Sequence, residues 1–532
     1  MMNPSPNKTI RRRAVHWTLN GIQLLVLTLV IAPGNIRACG INELAELVEL
    51  AEPVATEPLY AGTAKVDITH PTAKVHDPSY AKALVLKQGK TTVALITVDA
   101  VAIGGIGSIR DSFLQSVRDN LAKDPGILAE NVIVNASHCH GVVRSDCEAD
   151  VVELVRRANR NLVKVSAGVG SATENRISEN RRVFLKDGSQ VDMRRAYAFA
   201  WDDQIASIGP IDPQVGLLKL DTVEGKNVAV VYNFACHPIM NPPNKGSSAD
   251  FPAYASKVIE QAMGDESMAF FVQGCGGDIN PVHYKEPTTL PDAEPLGLKL
   301  GVRIVESLRN IKMNPEAKLA LRSQSVSLPR AADLAERIQR IEHLRTRLVD
   351  SLQGTNVNFK SFLPLLIEQR ISPEFPSASA QTYINDQLQG QEQLKLSDEE
   401  KKLQVETYLA NIRKMEEITR LNANLSLLKM HQQKQANVAL RTIACEMTAI
   451  RVGEFRLLTF PGELTVEIGL ALKKTQPANT YVAGYTNGYN FYLPTENQRK
   501  NTGFAQEDCD CLVAPEWQRV FEESAKQILD GL

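Results

Sequence analysis

Two histidines separated by one residue carry the clearest chemistry in this chain. They end the run Asn131–Gly141, NVIVNASHCHG, whose branched residues Val132–Val134 are typical of a buried strand. Because strand side chains alternate between faces, His138 and His140 are expected to share one face. Two imidazoles there could bind a metal ion, although a purely structural role fits this motif equally well.

A second strand pattern, NVAVVYNF, also ends in a histidine, His237, within Ala-Cys-His-Pro. Pro238 should stop that strand, which places His237 at a sheet rim, where ligands are commonly held. The later stretch Gln273–Pro281, QGCGGDINP, has three glycines that permit close approach of the backbone. No Gly-Lys-Ser/Thr follows, so this stretch is not a phosphate-binding P-loop.

An acid and an arginine could complete a polar site. Glu463 follows Pro-Gly in FPGELT, at a predicted strand-to-helix turn. It is either a carboxylate ligand or an ordinary charge at a helix N-terminus. Arg181, in ENRR, would suit the binding of an oxyanion or a carboxylate, with a simple surface arginine as the alternative.

Composition excludes some partners. The 532 residues are 43% hydrophobic and 23% charged, with a net charge of −2, which is ordinary for a globular protein with a large core. This charge gives no reason to expect nucleic acid, or an anionic membrane surface, as the main partner.

The first 39 residues have the pattern of a targeting segment. Arg11–Arg13 is basic, Gly21–Pro33 is apolar, and a cleavage site is expected near Cys39. The apolar run is short for a membrane span, so we interpret residues 1–39 as a signal peptide and expect an extracytoplasmic location. Lipid attachment at Cys39 and an uncleaved signal anchor are the alternatives.

Eight cysteines are compatible with disulfides in an exported protein. Cys509 and Cys511 are too close in sequence to bridge each other comfortably, and the pairing cannot be deduced. A zinc cluster built from cysteines is disfavoured, since no Cys-x-x-Cys occurs.

The strand and helix patterns predict a mixed α/β fold with a mixed β-sheet core, starting β-β-β-α-β from Tyr60. Asp99, at the end of the third strand, could lie behind a site or cap a turn. We assign residues 40–330 and 436–532 to one domain.

Residues 331–435 are predicted to be a helical insertion. Apolar residues from Leu334 to Leu348 keep helical spacing, and a capping box at Ser397 predicts the start of a second long helix. The loop Ile371–Thr382 should lie between them. A packed helical hairpin without chemistry is the main interpretation, and a lid or membrane-contacting element is the alternative.

The motifs GTAKVDIT, NVIVNASHCHG, ENRR, NFACHP, GGDINP, FPGELT and YTNGYNFYLPT occur in this order. Together they resemble the catalytic domain of the neutral/alkaline ceramidase family, over roughly residues 60–300 and 440–510. The resemblance implies a zinc-dependent hydrolase that cleaves the amide of an N-acyl sphingoid base. It implies zinc ligands at His138, His237, Glu463 and Tyr492.

The resemblance also implies a reaction centre lined by His140 and Arg181, to which we add Asn280 as a catalytic residue. Tyr489 and Asp278 are the expected substrate-binding residues. Ceramidases carry a serine where this chain has Asn280. Asparagine cannot act as the nucleophile, so attack by metal-activated water is expected, with Asn280 orienting water or binding an oxyanion.

Three functions therefore stay open. The first is an exported zinc amidohydrolase acting on an N-acyl or related substrate, a small molecule or a lipid. The second is a zinc hydrolase of another bond, such as an ester. The third is a non-catalytic binding protein that keeps the fold. No nucleic acid partner is expected, whereas peripheral membrane association and oligomeric state are left open.

Overall fold

The computed structural model describes residues 57–532 except 194–199, 242–245, 265, 285, 287, 289 and 437. The predicted signal peptide and Cys39 lie outside the described residues. The strands are β1 (Tyr60–Asp67), β2 (Tyr80–Gln88), β3 (Thr91–Val98), β4 (Val132–Ala136), β5 (Val163–Thr173), β6 (Ser178–Asn180), β7 (Arg182–Leu185), β8 (Gln190–Asp192), β9 (Ile205–Ile208), β10 (Gln214–Thr222), β11 (Asn227–Phe234), β12 (Met268–Gln273), β13 (Ile279–Pro281), β14 (Met313–Asn314), β15 (Leu319–Pro329), β16 (Thr442–Val452), β17 (Phe455–Thr459), β18 (Glu463–Leu464), β19 (Thr480–Ala483) and β20 (Tyr492–Leu493).

The α-helices are α1 (Phe113–Lys123), α2 (Glu148–Arg160), α3 (Asp250–Met263), α4 (Glu294–Leu308), α5 (Leu334–Asp350), α6 (Phe359–Ile371), α7 (Ala380–Leu388), α8 (Gln393–Gln435), α9 (Val466–Thr475), α10 (Glu496–Arg499), α11 (Gln506–Cys509) and α12 (Trp517–Asp530). Among the described residues, no helix is long and apolar enough to cross a bilayer.

A nine-stranded sheet in the order β12-β11-β10-β5-β1-β2-β3-β4, with β14 beside β5, carries most of the fold. The pairs β3–β4 and β11–β12 are parallel, and the other neighbours are antiparallel. A second sheet has the order β15-β16-β17-β19. The predicted mixed α/β class is confirmed.

Four layers result from the alternation of side chains along the strands. One face of the large sheet packs on α1–α4, and its other face packs on the second sheet, where Leu95 and Ile133 share a core with Leu457 and Tyr481. The outer face of the second sheet is covered by α9 and α12. The parallel strands are buried on both faces, which explains the unbroken apolar run before His138.

Residues 331–435 are helical as predicted, but they contain four helices rather than two. The capping-box prediction at Ser397 was wrong: α8 begins at Gln393, so Ser397 lies within its second turn. Ile341 of α5 packs against Leu421 and Leu425 of α8, in a core that also includes Phe504 and Cys509. The described residues form one compact unit, and the assignment of 331–435 as an insertion stays a prediction.

Candidate active site

Four separate chain segments meet where β4 and β11 end. The segment after β4 supplies His138 and His140, and the segment after β11 supplies His237. The short parallel pair β18–β20 brings Glu463 into register with Tyr492. Asn135 ties these parts together, because its amide donates to the carbonyl of Gly484 (2.8 Å) while its Oδ1 accepts from the backbone of Gln273 (3.1 Å).

The two histidines of the His-x-His motif lie beyond the strand, which corrects the alternating-strand interpretation. β4 ends at Ala136, and His138 has a left-handed φ of 65°. Its backbone N–H donates to the carbonyl of Ala100 (2.9 Å). The rings of His138 and His140 still approach each other, with centroids 5.0 Å apart. A turn, rather than strand alternation, therefore places both imidazoles in the site.

Backbone carbonyls hold the rings of His138 and His237. Nδ1 of His138 lies 2.6 Å from the carbonyl oxygen of Val101, and Nδ1 of His237 lies 2.5 Å from that of Gly276. A carbonyl only accepts, so each Nδ1 carries a hydrogen. In the neutral ring, Nε2 then presents a lone pair, and these two Nε2 atoms lie 3.5 and 3.2 Å from the same oxygen, Oε2 of Glu463.

Burial controls the charges of this group. Desolvation lowers the pKa of His138 to about 4 and also lowers the pKa of His237, so both rings are neutral at pH 7. Burial alone would raise the pKa of Glu463, but at low pH attraction to the protonated forms of the two histidines, together with a hydrogen bond from Tyr489, holds it well below its usual range. Two lone pairs and an ionised oxygen therefore face one another, and a cation between them would relieve the repulsion.

The donor set suits a metal ion. Ligand nitrogens of His138, His140 and His237 lie within 4.8 Å of one another. His138 and His237 are buried, whereas His140 is exposed, so the group has a side open to solvent. Two neutral imidazoles and a carboxylate form a common zinc set that leaves an open position. Their second nitrogens already donate to carbonyls, the usual support for such ligands.

Three tyrosines surround Glu463. The hydroxyl of Tyr485 lies 3.3 Å from Oε2, and that of Tyr489 donates to Oε1. The hydroxyl of Tyr492, the tyrosine expected to be a ligand, accepts from Arg181 at 3.1 Å. Tyr485, with its ring centroid 4.2 Å from that of His138, was not recognised from the sequence, since it ends an apolar strand pattern.

Arg181 is fully buried beside this group and is not a surface arginine. Its guanidinium donates to Glu507 (2.7 Å), to Oδ1 of Asn280 (3.2 Å) and to the carbonyl of Gly277 (2.6 Å). Nδ2 of Asn280 is buried without a hydrogen-bond partner among the described residues. Such an atom is costly to bury, so this amide is suited to donate to a substrate oxygen.

Sequence reasoning missed Glu507. It lies in the short helix α11, and its two oxygens accept from Arg181 (2.7 Å) and Arg182 (3.0 Å). The sequence contains one signal that could have identified it: an adjacent acidic pair, Glu507–Asp508, together with an adjacent basic pair, Arg181–Arg182. The four side chains form a buried ion-pair network that fixes the direction of Arg181.

The carboxylate of Asp278 accepts hydrogen bonds that order the surrounding backbone and side chains. One of its oxygens accepts from the backbone N–H of Val466 (2.8 Å), at the start of α9, and the other accepts from Asn180 (3.3 Å). Burial raises its pKa to about 6. The neighbouring Gly277 has no room for a Cβ, which would lie 2.7 Å from the backbone oxygen of Glu463. The glycines thus allow the backbone to approach β18.

Comparisons with known proteins agree with this architecture. No family model matches the sequence, and no curated protein matches it by sequence. The fold is similar to that of neutral ceramidase from Pseudomonas aeruginosa, with a TM-score of 0.54 and 16% identity over 89% of this chain and 74% of that one. A ceramidase complexed with C2 gives a TM-score of 0.53 at 16% identity, over 88% and 74% of the two chains. The chain therefore has a ceramidase-like fold.

Proposed function

We propose that this protein is an exported zinc-dependent hydrolase that cleaves the amide bond of an N-acyl substrate. One observation carries the proposal: the Nε2 lone pairs of His138 and His237 converge on the ionised carboxylate of Glu463. All three groups are acceptors, and a divalent cation satisfies them at once. The ceramidase-like fold supports amide hydrolysis over other zinc chemistry.

The metal would be held by His138, His237 and Glu463. Tyr492 is our proposed fourth ligand, from the resemblance to ceramidases. His140 is the alternative, because its nitrogen groups with those of the other two histidines. When bound, zinc supplies a Lewis acid that polarises a carbonyl oxygen and lowers the pKa of water to about 7. Zinc content of His140→Ala and Tyr492→Phe distinguishes the two ligand sets.

The other residues have distinct roles in the proposed reaction. Asn280 donates a hydrogen bond from its unpartnered Nδ2 to the substrate oxygen that gains negative charge. Arg181 orients Asn280 and adds positive charge nearby. His140, exposed at the open side, moves a proton between water and the leaving amine. Tyr489 contacts the substrate at the rim while it holds Glu463. Asp278 orders the backbone at α9, and its contact with substrate stays a prediction.

The substrate is proposed to be a lipid or a small molecule with an acyl amide, as the resemblance to ceramidases implies. Replacement of serine by Asn280 favours attack by water over a covalent intermediate. An ester is the second candidate, because the same groups stabilise the charge that develops on an ester carbonyl. A panel of N-acyl and O-acyl substrates separates these two.

The decisive variant is Glu463→Gln. We expect about one zinc per wild-type chain, and loss of both zinc and turnover in the variant, because a neutral amide neither balances nor binds the cation. Elemental mass spectrometry of the purified protein and the substrate panel measure the two effects.

Glu174→Gln is the matched control, since Glu174 is also buried but pairs with Arg176 outside the site. It should keep its zinc. A folded wild type that binds no zinc even when zinc is offered would contradict the proposal. A zinc-loaded protein that is inert until Asn280→Ser is introduced would favour a binding protein over a hydrolase.

A further inference from the structure

The outer face of α6 is apolar and exposed. Phe359, Leu363, Ile367 and Ile371 follow one another at intervals of four residues, so they form a continuous stripe. Their side chains are 67%, 45%, 48% and 78% exposed. A surface helix of a globular protein normally has polar residues on its outer face. This stripe therefore needs a partner outside the described chain.

The opposite face of α6 is already packed. Phe362 is buried, lies in a core with Val405, and has its ring centroid 4.8 Å from that of Tyr408 on α8. The start of the helix is closed by a capping box between Asn358 and Ser361. The helix is thus anchored through its inner face and cannot bury the stripe by turning over.

Two cations lie within the same arc as the stripe. At 100° per residue the four apolar residues span 120°, and Lys360 and Arg370 fall inside this arc, whereas Glu368 falls outside it. Both cations are exposed, and neither forms an ion pair with another described residue. The face therefore combines apolar side chains with unpaired positive charge. This combination complements a surface with an anionic outer layer and an apolar layer beneath it.

Exposed apolar side chains are concentrated in this part of the molecule. Of the 21 large hydrophobic side chains that are exposed among the described residues, ten lie between residues 331 and 435. That segment is about a fifth of the chain, so the enrichment is more than twofold. Four of the ten make up the stripe of α6.

We propose that α6 binds a membrane surface carrying anionic headgroups. A helix of 13 residues is about 20 Å long, which suits an orientation in the plane of the interface, with the stripe inserted and Lys360 and Arg370 among the headgroups. The net charge of the whole chain gives no reason to expect binding to such a surface, whereas the local arrangement of apolar and cationic side chains on α6 does. The inference rests on α6 alone and does not depend on hydrolase activity.

Co-sedimentation of the full chain with vesicles tests the proposal. We compare phosphatidylcholine vesicles with vesicles containing about 30% phosphatidylglycerol, at about 0.1 M and 0.5 M salt. The variant Leu363→Ser/Ile367→Ser/Ile371→Ser should reduce binding to the anionic vesicles at least about tenfold. The variant Lys360→Gln/Arg370→Gln should reduce it by about threefold to tenfold and remove most of its salt dependence.

Ile208→Ser/Val223→Ser is the matched control, since these side chains are 65% and 60% exposed in the α/β part. It should bind like wild type. All variants keep residues 1–56, so binding through that segment is common to them. Equal binding by wild type and the triple variant would overturn the proposal. The proposal would also be overturned if the wild type does not bind vesicles but forms a dimer in light scattering that the triple variant abolishes. The stripe would then bind a second copy of the chain.

Discussion

At the scale of single residues, Asp99 caps a turn, one of the two roles that its position suggested. It ends the β3 region, and its carboxylate accepts from the backbone of Tyr80 at 2.8 Å, as a turn-capping residue does. It also directly precedes Ala100 and Val101, whose carbonyls hold His138. It lines a cavity of about 340 Å³ that also contains the ion pair of Lys82 and Glu260 (2.7 Å).

Burial raises the pKa of Asp99 from 3.8 to about 7, and this predicts a pH-dependent stability. The folded protein binds the proton more tightly than the unfolded chain, so this stabilisation is complete below pH 3.8 and is lost as the pH rises through 7. Relative to Asp99→Asn, the wild type should lose about 1–3 kcal/mol of unfolding free energy between pH 4 and pH 8. Urea unfolding at several pH values measures this, and a difference independent of pH would contradict it.

At the scale of elements, α8 connects the helical segment to the candidate active site. It is 43 residues long, or about 65 Å. In its N-terminal half it holds α6 through Val405 and Tyr408. Near its C-terminal end, Nε2 of His431 lies 2.6 Å from Asp510, and its ring centroid lies 4.6 Å from that of Phe491 in the tyrosine-rich turn. The helical segment is therefore more than a separate hairpin.

The connection between α6 and α7 should be the first site of limited proteolysis. The segment Ile371–Thr382 is largely exposed and contains two prolines and three serines, and few apolar contacts hold it. Brief digestion with thermolysin should give two fragments whose new ends, identified by mass spectrometry, lie within this segment. First cleavage inside α5 or α8 would mean that these helices open more readily than the loop.

At the scale of the whole molecule, the hydrophobic cores between the layers contain cysteines of the described residues that form no disulfide. Seven cysteines of the described residues are buried and unpaired, including Cys139 and Cys236 beside the site histidines. Burial raises the pKa of Cys139 far above the usual range and that of Cys147 to about 11. Export permits disulfides, but the cysteine positions are those of small apolar core residues.

Thiol titration tests this arrangement. The seven thiols should react with a thiol reagent only after unfolding in guanidinium, because each is buried and protonated in the folded protein. A reductant should leave the melting temperature unchanged. Detection of fewer than seven thiols in the unfolded, unreduced protein would show a disulfide and contradict the arrangement.

The sequence by itself determined the mixed α/β class and the types of group in the candidate site: histidines that follow two strand patterns, a glutamate after Pro-Gly and a tyrosine-rich turn. These follow from local patterns, since a buried strand and a turn are written in a few adjacent residues. Only the tertiary structure decided that His138 and His237 direct Nε2 at Glu463, that Tyr485 joins them, and that Glu507 holds Arg181. These contacts join residues as much as 347 positions apart, as His138 and Tyr485 are, and a local pattern carries no information about such pairing.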